Sequence, residues 1–110
     1  MSKAMDKAAS EPAEITIFTD QPYTSSMAAA LTAYFKNEIK QMVISDGHSY
    51  TDEALTYTPR DSNGKIIVDI KMELKRCLKR PTLFSRMKIR YSVVITSITY
   101  RCATGPVIYY

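Results

Sequence analysis

Residues 65–80 read Lys65-Ile66-Ile67-Val68-Asp69-Ile70-Lys71-Met72-Glu73-Leu74-Lys75-Arg76-Cys77-Leu78-Lys79-Arg80, and the period assigned to this stretch decides the fold. Ile66, Ile67, Ile70, Leu74, Cys77 and Leu78 fall together on one face of a helix with 3.6 residues per turn. Asp61 and Asp69 stand at its front, and Lys75, Arg76, Lys79 and Arg80 crowd its end, the polarity that a helix dipole favours. Pro81 cannot continue it. The stretch therefore predicts a helix over 65–80. Asn63-Gly64-Lys65 lacks the earlier glycine and the strand of a phosphate loop, and reads as the start of that helix.

Downstream the period changes. Met87, Ile89, Tyr91, Val93 and Ile95 alternate with Lys88, Arg90, Ser92, Val94 and Thr96, which predicts one long strand over 87–100. Gly105-Pro106 turns the chain, and Val107-Ile108-Tyr109-Tyr110 begins a second strand. Upstream, Met27, Leu31, Tyr34, Phe35, Ile39, Met42 and Val43 form an apolar stripe at helical spacing, predicting a first helix over 26–44. Ser45-Asp46-Gly47 ends it, and residues 45–64 read as a long polar connection. Ile15-Thr16-Ile17-Phe18 is a short β-prone patch. Residues 1–14 are small, polar and charged and read as a flexible lead-in, leaving residues 15–110 as a single domain.

The expected class is α+β, with two N-terminal helices packed on an antiparallel sheet. On this reading the chain is short of strands. Two apolar helices need a sheet to bury them, and a lone ribbon is marginal in water. Its edges would also leave backbone groups unpaired. The missing strands are expected from a dimer mate, a partner protein or a C-terminal extension.

Charge is divided as sharply as period. Residues 71–110 carry nine bases against the single acid Glu73, a balance of +8, whereas residues 1–70 carry six bases against ten acids, or −4. A basic face of this kind either meets an anionic partner or solubilises exposed elements. With 45% apolar and 24% charged residues, the composition is that of an ordinary globular domain, and no apolar run approaches the ~20 residues of a membrane span. No hydrophobic segment follows the N-terminal lysines, so a cytoplasmic protein is expected. Cys77 and Cys102 lack CxxC spacing and are expected to be free, buried or half-buried thiols.

No catalytic set emerges, and no cofactor or metal is expected. His48 is the only histidine, which excludes a paired-histidine metal motif and assigns it to the polar loop. Asp52, Glu53 and Asp61 belong to the same solvated connection. Tyr91 and Tyr100 lie beside Arg90 and Arg101, a combination able to stack bases in a cationic groove. A basic RNA- or ribosome-associated protein is therefore the alternative reading, with Lys75, Arg76, Lys79, Arg80, Arg86, Lys88 and Arg90 facing phosphates.

The order helix, helix, long strand resembles the Tctex-type dynein light chains. The likeness is strongest over residues 66–98, where Ile66-Ile67-Val68-Asp69-Ile70-Lys71-Met72-Glu73-Leu74-Lys75 looks like the family's second helix. Arg86-Met87-Lys88-Ile89-Arg90-Tyr91-Ser92-Val93-Val94-Ile95 looks like the lead into its first strand, with methionine at an aromatic position. The family's later strands and its usual tryptophan have no counterpart. The resemblance implies a non-enzymatic adaptor of a dynein or axonemal motor, in the cytoplasm, cytoskeleton or cilium. It also implies homo- or heterodimers and an extended segment of an intermediate chain, or another light chain, added to the sheet edge. The expected partner-binding residues are Ile89, Tyr91, Val93 and Ile95 on the strand, with Arg86, Lys88 and Arg90 as charged contacts.

Overall fold

Alternation, and not a helical period, governs residues 65–74. In the computed structural model, which describes residues 11–74, 76–79 and 82–110, Lys65–Leu74 is a β-strand. Ile66, Val68, Ile70, Met72 and Leu74 are buried on one face, while Lys71 and Glu73 are exposed on the other. The same apolar residues satisfy both periods in part. β-Branched Ile66, Ile67, Val68 and Ile70 favour the pleat, and tertiary contacts decide in its favour. The expected second helix is therefore a strand, and the expected architecture of two N-terminal helices on a borrowed sheet is wrong.

The described elements run β1 (Glu11–Pro22), α1 (Ser25–Ser45), β2 (Leu55–Ser62), β3 (Lys65–Leu74), α2 (Leu83–Arg90), β4 (Ile95–Cys102) and β5 (Ile108–Tyr109). They build one five-stranded sheet in the order β2-β3-β1-β4-β5, with every neighbouring pair antiparallel. The first ten residues of the expected lead-in lie outside the described residues, as do Lys75, Arg80 and Pro81, on which the end of the supposed helix rested. β1 starts at Glu11, so the β-prone patch at 15–18 is the middle of a central strand.

The connection expected between two helices holds strand β2 and a two-residue hairpin. Ser62 pairs with Lys65 across Asn63 and Gly64, whose φ values are +53° and +82°. Both turn residues are left-handed, the requirement of the hairpin turn that Asn-Gly favours. Pro59 is compatible with β2 because β2 is an edge strand.

The expected strand over 87–100 also divides. Residues 83–90 are α2, with Phe84 and Met87, three apart, buried against the sheet. Residues 91–94 turn, and the strand β4 begins at Ile95. The alternation at Met87, Ile89, Tyr91 and Val93 does not reflect a pleat: Ile89 and Val93 stand in solvent, 74% and 84% exposed.

One face of the sheet carries the core. Ile15 and Ile17 of β1, Val68 and Ile70 of β3, and Ile98 and Tyr100 of β4 meet Phe35, Ile39 and Val43 of α1 and Phe84 of α2. Each fully buried aliphatic or aromatic side chain contributes about 1.5–3 kcal/mol. Thr24 begins α1 by accepting the Met27 N–H at 3.1 Å. The opposite face is largely polar, as antiparallel sheets allow, apart from the paired Phe18 and Ile67. There Thr16 lies between Asp69 and Thr99, and Glu14 between Lys71 and Arg101.

These observations remove the strand shortage. β1, β3 and β4 roof both helices from within the chain, one edge is broken by Pro59, and the other is the two-residue β5. The expectation of free thiols fails as well, because Cys77 and Cys102 form a disulfide with Cα atoms 5.9 Å apart.

Candidate functional site

The disulfide and a buried carboxylate together anchor residues 76–79, which precede α2 in the chain. Asp46, just past the end of α1, has a side chain only 1% exposed. It accepts from Arg76 Nη1 at 2.9 Å and from the Lys79 N–H on both oxygens, at 3.1 and 3.0 Å. Its carbonyl oxygen accepts from Arg76 Nη2. His48 Nε2 is buried 3.2 Å from Asp46 Oδ2, without hydrogen-bonding geometry. Beside this node, Cys77 is tied to Cys102 at the end of β4, and the Leu78 N–H donates to the Tyr100 hydroxyl at 3.2 Å. Residues 76–79 are thus held to α1 and to β4 shortly before the chain enters α2. The ring of Phe84 then seats that helix, its centroid 5.4 Å from Tyr100 and 5.7 Å from Tyr110.

Held in this way, α2 and α1 enclose a groove of about 300 Å³. Glu38, Gln41, Met42 and Ser45 line it from α1, and Leu83, Arg86, Met87 and Arg90 from α2. Met42 and Met87 are buried and make an apolar floor. At one end Arg90 Nη1 meets Glu38 Oε2 at 2.9 Å, and the Tyr91 hydroxyl donates to Glu38 Oε1 at 2.8 Å. Both Glu38 oxygens are therefore engaged. Burial first, and then the Glu38 carboxylate, hold the Tyr91 phenol above its usual range. Tyr34 packs edge-on against Tyr91, with centroids 5.6 Å apart, and is itself 59% exposed. Arg86 has no ion-pair partner among the described residues.

The residues singled out from sequence are brought near one another, but not as a strand face. Arg86, Lys88, Ile89 and Arg90 lie on α2, Tyr91 caps it, Val93 is in the turn, and only Ile95 is in β4, where it is buried in the core. Sequence reasoning missed Glu38 and Asp46, which lie far from α2 in the chain. No local pattern marks either residue. A second cluster sits on the other flank of α1. There Tyr50 and Tyr57 share a hydrogen bond of 3.2 Å beneath Lys40 and Lys36, and burial raises the Tyr57 phenol well above its ordinary range. Among the described residues no group of three His, Cys, Asp or Glu is placed to hold a metal.

The class these features define is a small, disulfide-cross-linked α+β protein that holds a short cationic helix against an antiparallel sheet. A family model described as SCVP, secreted clade V proteins, matches residues 13–109, and the chain belongs to that family. No curated protein and no solved structure matches it. Membership overturns the Tctex resemblance, and with it the dynein adaptor function and the cytoplasmic, cytoskeletal or ciliary location. The alternative of an RNA- or ribosome-associated protein gains no support from it either. The disulfide agrees with the family's description, since such bonds persist in oxidising compartments.

Proposed function

We propose that this chain is a secreted, non-catalytic binding protein that recognises another protein through α2, the 91–94 turn and the facing side of α1. One observation carries the reading. Ile89 and Val93 are 74% and 84% exposed beside Arg86, Lys88 and Arg90, on a helix and turn held to the sheet by buried Phe84 and Met87 and to α1 by the Glu38 contacts of Arg90 and Tyr91. Exposed apolar side chains rimmed by polar groups mark interaction sites, and tyrosine and arginine are enriched where binding energy concentrates. A pinned helix also loses little conformational freedom on docking, which leaves more of the contact energy for affinity.

Strand addition is not part of this reading. Both sheet edges are protected, one by Pro59, Arg60 and Asp61 and the other by the shortness of β5. Self-association through the same surface is one form of it, because a second copy is also a protein partner.

The test is panning of the immobilised, oxidised chain against a displayed library of random peptides. Selected binders should lose affinity for an Ile89→Asp/Val93→Asp double variant whose circular dichroism and disulfide content match the parent. Failure to enrich any sequence, or enrichment indifferent to the double variant, overturns the proposal. Sedimentation at high concentration identifies the case in which the partner is a second copy.

A further inference from the structure

The groove between α1 and α2 is not electrostatically balanced. Of its charged lining residues, Glu38 supplies one carboxylate, and that carboxylate is already bound by Arg90 and by the Tyr91 hydroxyl. Arg86 lies four residues before Arg90 and so shares its side of α2. It is exposed, and it has no counter-charge among the described residues. The remaining polar lining, Gln41 and Ser45, is neutral. The lining therefore holds two guanidinium groups and one carboxylate above an apolar floor of Met42 and Met87.

We infer that Arg86 is the specificity-determining residue of this surface, and that its ligand is a peptide segment carrying one aspartate or glutamate next to a large apolar side chain. The inference rests on the binding function proposed above and adds the chemistry of the partner. A carboxylate matches the planar fork of a guanidinium in a bidentate arrangement, which a lone hydroxyl or amide does not. The neighbouring apolar group would enter the groove over the two methionines, whose flexible thioethers accommodate varied shapes. Arg90 does not serve the same purpose, because Glu38 already neutralises it at 2.9 Å. The concave shape favours a protruding side chain over a bilayer, since a flat surface of lipid headgroups cannot reach a recessed floor.

The experiment repeats the peptide selection with the full oxidised chain and with an Arg86→Glu variant, each first checked for parental circular dichroism and an intact disulfide. Peptides selected by the parent are expected to carry Asp or Glu beside Leu, Phe or Met. They should bind Arg86→Glu at least ~10-fold more weakly, as expected for loss of a charge-assisted hydrogen bond. Selection on Arg86→Glu should yield Lys or Arg at the same position, an inversion that a merely structural role would not produce. Peptides that depend on Ile89 and Val93 but are neutral or basic, or that bind Arg86→Glu equally well, overturn this inference and leave the binding function standing. No selected peptide at all overturns both, and binding to vesicles of phosphatidylcholine and phosphatidylserine in that case assigns the surface to lipid.

Discussion

Asp46 does more than end a helix. Its carboxylate, 1% exposed, takes the Arg76 guanidinium and the Lys79 N–H, so one side chain joins α1 to the segment that leads into α2. Hydrogen bonds to a charged group contribute about 1.5–3 kcal/mol each, and a buried donor left without its acceptor adds its own cost. Replacing Asp46 with Asn retains the shape but removes the charge. Asp46→Asn should lower unfolding free energy by about 2 kcal/mol in urea denaturation, with the m-value unchanged. Asp52 is the control: its side chain is 74% exposed and pairs with Lys36 at 3.6 Å. Asp52→Asn should stay within about 0.5 kcal/mol of the parent. Equal effects of the two substitutions would show that the Asp46 node does not hold the segment. Nothing adjacent in sequence identifies Asp46, since Arg76 and Lys79 lie 30 and 33 residues away.

At the scale of elements, the β2–β3 hairpin teaches most about what a sequence reveals. Asn63-Gly64, flanked by Leu55, Tyr57 and Pro59 on one side and Ile66, Val68 and Ile70 on the other, is a hairpin signal in plain view. It is obscured because Ile66, Ile67, Ile70 and Leu74 also fit a helical stripe, and because Pro59 and Asp61 read as loop residues. Two periods shared one set of apolar positions, and the turn chemistry was the arbiter that the period count overrode. Gly64 offers a direct check. Its φ is +82°, and an added Cβ would meet nothing within 4 Å, so only backbone strain opposes alanine there. Gly64→Ala should cost about 1–2 kcal/mol, the usual penalty of a left-handed L-residue, read as a drop in thermal or urea midpoint. A neutral outcome would mean that the turn is not the left-handed pair described here. The α2–β4 region misled in the opposite direction. Alternating apolar residues suggested a strand, whereas Phe84 and Met87 needed a helix to reach Tyr100 and the core.

Over the whole molecule, the disulfide closes the stretch between the β3 and β4 ends, 25 residues apart. Chain-entropy arguments give a cross-link of that span about 3.5 kcal/mol, within the 2–4 kcal/mol typical of native bonds. A Cys77→Ala/Cys102→Ala variant should lose roughly that amount in urea denaturation. Its amide exchange should rise first in α2, because the 76–79 segment then loses its covalent tie to β4 and keeps the Asp46 contacts and the Leu78–Tyr100 hydrogen bond. A loss confined to overall stability, with α2 protected as before, would assign the bond a general rather than a local role. Sequence alone determined the composition of an ordinary small domain, the concentration of positive charge after residue 70, the first helix and the β-prone centre of β1. These features are local, or are sums over the chain, and need no knowledge of which residues meet. Tertiary structure alone decided the period of residues 65–74, the pairing of Cys77 with Cys102, the burial of Asp46 and the closure of the sheet within one chain. Each depends on contacts between residues far apart in sequence, and an apolar stripe states that a face is buried without stating against what.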